Sequence, residues 1–96
     1  MTSQTMPSEF IEAVAELFDA LVPVASDDEL FASGYLRGHF DLAVGTLEVA
    51  ATPFAAADVV QQVNATLDQA IASGELNDID QQHVNSIWLR VQQLAA

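Results

Sequence analysis

The stretch Leu21-Val22-Pro23-Val24-Ala25-Ser26-Asp27-Asp28-Glu29 closes one helix and opens the next. Pro23 has no amide proton and its ring clashes with the preceding turn, so a helix arriving there must stop. Ser26 followed three residues later by Glu29 is a capping box. The hydroxyl can accept from an amide one turn on, and the carboxylate can reach back to the Ser26 amide. Asp27 and Asp28 add negative charge at the positive end of the helix dipole. Two helices joined this tightly are expected to run antiparallel.

The pattern on either side extends the same reading. Upstream, Phe10, Val14, Leu17 and Leu21 recur at four-three-four spacing, with Ile11, Phe18 and Val22 beside them. That is one apolar stripe on a 3.6-residue period, predicting a helix over Ser8 to Val22. Downstream, the second helix should run to about Ala50 with Leu36, Phe40, Ala43 and Leu47 inward. Thr52-Pro53 reads as an N-cap followed by proline at the first helical position, opening a third helix. Its inner face would carry Val60, Val63, Leu67 and Ile71, with Gly74 ending it and Leu76 folding back over the last turn as in a Schellman cap. Asn77 would cap a fourth helix, with Asp78 and Asp80 in its first turn and Arg90 near its C-terminal end. Val84, Ile87, Val91 and Leu94 make its stripe, with Trp88 alongside. No strand alternation of useful length appears. The expected fold is therefore all-α, a compact antiparallel four-helix bundle formed as a single domain over residues 8–96. Residues 1–7 are expected to be a flexible lead.

Gly34, Gly38 and Gly45 interrupt the second helix at helical spacing, on one flank. Each costs about 1 kcal/mol relative to Ala. Either they admit a close neighbour, or the helix kinks or breaks near Gly34.

Composition limits function. The 96 residues are 51% hydrophobic, enough for one modest core, and alanine inflates that share. Two arginines stand against 14 acids, for a formal net charge of −12, and there is no lysine. Nucleic acid and anionic membranes would repel such a chain. Cysteine is absent, which removes disulfides, zinc-thiolate sites and thiol nucleophiles. The N-terminus lacks the basic start and apolar run of a secretory signal, and the expected compartment is the cytoplasm. Most acids lack a partner cation, so their repulsion should weaken the fold at low salt. The melting temperature is expected to rise between about 0.01 M and 0.15 M salt, as screening shortens to about 8 Å. A melt indifferent to salt would contradict that repulsion.

Chemistry is sparse. Glu9, Glu12, Asp27, Asp28, Glu29, Asp78 and Asp80 lie in or near first helical turns, where capping accounts for them. The Glu-x-x-His pairs of di-iron bundles are absent. Asp78-Ile79-Asp80 starts like a calcium loop, but His83 stands where the turn glycine belongs and Leu89 where the bidentate Glu belongs. No metal, cofactor or catalytic residue is expected. Nor is there a phosphate loop or a nucleophile elbow. An acidic four-helix protein invites comparison with acyl carriers, which bear their prosthetic group on a serine within Asp-Ser-Leu. Here the order is Ser26-Asp27-Asp28-Glu29-Leu30, and Ser26 already serves as a cap.

One segment stands out: Gly34-Tyr35-Leu36-Arg37-Gly38-His39. Asp28, Tyr35 and His39 fall near one helical face, and Arg37 lies on a neighbouring face near Asp41. These four residues, Asp28, Tyr35, Arg37 and His39, are the candidate binding patch. The competing reading is a helix–helix contact, because Tyr and Arg pack in ordinary cores as well as at interfaces.

Read with its cap, Ala25-Ser26-Asp27-Asp28-Glu29-Leu30-Phe31-Ala32-Ser33-Gly34-Tyr35-Leu36-Arg37-Gly38-His39 resembles the signature stretch of the YfcL family, small proteins of gamma-proteobacteria. The resemblance resumes at Ala70 to Leu76, at Asp80-Gln81 and at Trp88, and covers nearly the whole chain from the first helix onward. The family has no established activity, so the resemblance implies a bacterial cytoplasmic protein and no catalytic residue.

The leading expectation is a non-enzymatic protein that binds a basic macromolecular partner, itself a monomer or weak homodimer. An enzyme or small-ligand carrier with a pocket near His39 is the alternative. Mimicry of DNA by an acidic surface is the second; it needs carboxylates in two rows at phosphate-like spacing.

Overall fold

The computed structural model describes residues 7–95. Four helices follow in order: α1 (Pro7–Leu21), α2 (Asp27–Val49), α3 (Ala56–Ala72) and α4 (Asp78–Gln93). They form an all-α four-helix bundle. The expected lead is one residue shorter than the sequence suggests, because Pro7 sits in the first turn of α1, where its missing amide costs nothing. Residues 1–6 of that lead lie outside the described residues.

The joint between α1 and α2 forms as its residues dictate. The Leu21 carbonyl accepts from the amides of Val24 and Ala25 at 3.1 and 2.9 Å, closing α1. The Glu29 amide donates to Ser26 Oγ at 3.2 Å and the Ser26 amide donates to Glu29 Oε1 at 2.8 Å. Hydrogen bonding to the carboxyl, first by the Ser26 amide and then by the Ser26 side chain, holds Glu29 below its usual range. A depressed carboxyl stabilises the fold above its unfolded pKa, and that share is lost as the pH falls through the folded value. Ser26→Ala should destabilise the fold by about 1 kcal/mol. A urea melt reads the change, and an unmoved midpoint would mean that the cap contributes nothing.

The other caps divide. At the end of α3 the Glu75 amide donates to the Ala70 carbonyl and the Gly74 amide to the Ile71 carbonyl, both at 3.1 Å. Gly74 has φ +78° and Leu76 is buried, so the Schellman cap stands as expected. Asn77 Oδ1 accepts from the Asp80 amide at 2.8 Å and opens α4. The start of α3 differs. Thr52-Pro53 stays in the loop, and the helix begins at Ala56 behind an alanine N-cap, Ala55. Asp58 reaches back to take the Ala55 amide at 2.8 Å, supplying from inside the helix the carboxylate half of a capping box. Ala51 takes left-handed backbone, φ 58°, and turns the chain out of α2. Phe54 packs against the core and anchors the loop.

The core also shifts slightly from the predicted stripes. In α1 the fully buried residues are Phe10, Val14 and Phe18, while Leu17 and Leu21 flank them and Val22 is exposed. In α3 they are Ala56, Val59, Val63, Leu67 and Ala70, with Val60 and Ile71 at the margin. Val84, Ile87, Trp88 and Val91 complete the core from α4. α2 contributes Ala32, Ser33, Leu36, Phe40, Ala43 and Val44. It packs most extensively on α4, which is not its neighbour in sequence, and next on α3. Small side chains at Ala32, Ser33 and Ala43 suit that central place, because they let helix axes approach. Phe10 meets Phe40 edge-on, ring centroids 5.6 Å apart. Trp88 Nε1 donates to Asn64 Oδ1 at 2.7 Å, so the buried indole ties α4 to α3 without an orphaned donor.

The glycines of α2 do neither thing expected of them. The helix runs unbroken through Gly34. A Cβ added at Gly34, Gly38 or Gly45 would meet nothing within 4 Å, so none of the three admits a close neighbour among the described residues.

Candidate functional site

The four residues of the candidate patch separate onto two sides of α2. Tyr35 and His39, one turn apart, face α3. The Tyr35 hydroxyl donates to Glu75 Oε1 at 2.7 Å, a carboxylate placed there by the Schellman turn. The Tyr35 and His39 rings lie 4.8 Å apart and tilted, and Phe31 stacks on the far side of Tyr35 at 6.1 Å. His39 Nδ1 lies 2.9 Å from Thr66 Oγ1. The single proton of Thr66 goes to the Val63 carbonyl at 3.1 Å. Its oxygen therefore accepts, which assigns the proton to His39 Nδ1.

Arg37 turns the other way. Its Nη1 donates to Asp19 Oδ1 of α1 at 3.2 Å, and its guanidinium lies 5.6 Å from the centroid of the Phe18 ring. The partner expected from sequence, Asp41, is not the one it takes, because Asp19 comes within reach only when α1 folds back on α2. Asp28 stands exposed in the first turn of α2. The contacts pair α2 with both neighbours in opposite directions along the chain, Tyr35 with Glu75 and His39 with Thr66, Arg37 with Asp19 and Phe40 with Phe10.

These contacts change the acidity of Tyr35. Burial first, and then the bond to Glu75 and its charge, push the Tyr35 hydroxyl up to about 12. A phenol shifted that way is a poorer acid and a poorer nucleophile at neutral pH. Because the folded value lies above the unfolded one, the Tyr35–Glu75 tie stabilises fully below about pH 10 and is lost as the pH rises through about 12. Phenolate absorbance should titrate near the upper value in the folded chain. Glu75→Gln should bring the midpoint down, and an unmoved midpoint would deny the contact.

Sequence reasoning missed two surface features. A small depression of about 90 Å³ is lined by Leu21, Glu29, His83, Ser86, Ile87 and Arg90, where α1, α2 and α4 meet. A shallower, mostly apolar one lies on α2 itself, lined by Asp41, Leu42, Gly45, Thr46 and Val49. Tyr35 and His39 line neither. Hydrophobic residues on the outward flank of α2 were the available signal for the second. Among the described residues no cluster of His, Asp and Glu could hold a metal ion, and no helix is long and apolar enough to cross a membrane.

The profile of the YfcL protein family matches residues 8–93, and the chain belongs to that family. It is similar to the uncharacterized protein YfcL of Escherichia coli (strain K12), 44% identical over 91 residues that span 95% of this chain and 98% of the relative. No solved structure matches significantly.

Proposed function

We propose that this protein acts by binding a basic macromolecular partner and carries out no chemistry of its own. One observation carries the reading: the net charge is −12 with no lysine, and Arg37, half of the positive charge present, is committed to Asp19. Such a field draws in a basic surface and speeds encounter. The Tyr35, Arg37 and His39 side chains support the helices on which that field is carried, and Asp28 adds to it. The cytoplasm is the proposed site of action.

The test is recovery and reconstitution. The chain, tagged and expressed at native level, is captured from its cells, and any companion is purified and remixed with it. The expected result is a defined complex with a basic protein whose dissociation constant rises steeply with salt. A complex insensitive to salt, or no companion under either condition, would count against the reading.

A further inference from the structure

The outward side of α2 is unusual for a helix facing water. Opposite Leu36, Phe40 and Ala43, which are buried, the sequence places Phe31, Gly34, Gly38, Leu42, Gly45 and Val49 at three- and four-residue spacing. Phe31 is 51% exposed, Leu42 65% and Val49 86%. α2 is therefore apolar on two opposite sides, one inside the bundle and one outside it. The exposed hydrophobics Ile79 and Leu89 stand apart from this line and are ordinary single exposures. An aligned set is different, since contiguous exposed apolar surface marks an interaction site.

The glycines belong to the same surface. Each weakens the helix, and among the described residues nothing fills the space beside any of them. A missing side chain is of use only to something that approaches from outside. Its charge is indicated by the flank. Asp27, Asp41 and Glu48 follow the apolar line at intervals of about four turns and then about two, all exposed. The one cation on the helix, Arg37, points away to Asp19. A second copy would bring the same acidic fringe against itself, with −12 on each chain.

We propose that the outer face of α2, from Phe31 to Val49, is the docking surface for a basic amphipathic helix of a partner protein. Leu42 and Val49 meet the partner's apolar stripe, Gly38 and Gly45 let its backbone come close, and Asp41 and Glu48 face its Lys and Arg. This rests on the basic-partner reading above and names the surface and the shape of the ligand.

A synthetic helical peptide about six turns long, with Lys on one face and Leu and Ala on the other, is the probe. Titrated into the labelled full chain at low salt, it should shift amides along Phe31 to Val49. Leu42→Gln with Val49→Gln should weaken binding about tenfold or more, while Leu89→Gln, equally exposed on α4, should not. Gly38→Ala with Gly45→Ala should weaken binding while raising the melting temperature, a pairing that loss of fold cannot produce. Salt-sensitive binding whose shifts fall elsewhere, unaffected by the Leu42 and Val49 changes, would overturn this surface and leave the basic-partner reading standing. Absence of any salt-sensitive binding would remove both. A dimer of the free chain, dissolved by the same changes, would overturn it in favour of a second copy.

Discussion

Phe10→Ala should destabilise the fold by about 3–5 kcal/mol, the loss expected when a fully buried aromatic ring is replaced by a methyl group. Phe10 has no exposed surface and meets Phe40 edge-on from α1, so the change removes both apolar burial and an aromatic contact. A domain of this size holds in total only about 5–15 kcal/mol, so the variant should be partly unfolded at moderate temperature. Thermal denaturation followed by circular dichroism reads this directly. A shift smaller than about 1 kcal/mol would mean that α1 is not seated on α2 as described. The contact joins the first helix to the central one, so its loss should be felt by the bundle as a unit.

The second large effect has the opposite sign. Replacing Gly34, Gly38 and Gly45 together by alanine should stabilise the free chain by about 1.5–3 kcal/mol, from better helix propensity and a less flexible unfolded chain. In a domain of this size that raises the melting temperature by about 10 °C or more. The prediction depends on open space: an added Cβ at each position meets nothing within 4 Å. Destabilisation would show that another segment covers this side of α2. Stabilisation would show that the free chain carries three avoidable weaknesses on one face, as a surface shaped for something outside the chain would.

What could be read from the sequence follows from the range of the interactions involved. The capping box at Ser26 and Glu29, the Schellman turn at Gly74 and the Asn77 cap close over a few residues, so local order suffices to find them. The start of α3 misled because Thr52-Pro53 has the right chemistry for a cap, while the working carboxylate, Asp58, lies three residues inside the helix. The inner stripes were displaced by one residue in α1 and α3 because a 3.6-residue period places several adjacent apolar positions almost equally well. Phe18 and Val59 win those places through contacts across the bundle, which no local pattern specifies.

The candidate patch shows the same divide. Tyr35 and His39 on one face were legible from their spacing, and their rings do meet. Their partners Glu75 and Thr66 lie on or beyond α3, far away in sequence, as Asp19 does for Arg37. Asp41 was the nearer choice for Arg37 along the helix, but the guanidinium also gains the Phe18 ring by turning to α1. Glycine spacing in α2 was visible from the start. That the glycines face water could be known only once every neighbour was placed.

The central claim is that α2 carries two apolar sides, one closed inside the bundle and one left open. A soluble paramagnetic probe added to the methyl-labelled free chain tests it most directly. Leu42 and Val49 signals should broaden strongly while Leu36 and Ala43 stay sharp, in keeping with their burial. Equal protection of both sets, or equal broadening of both, would contradict it.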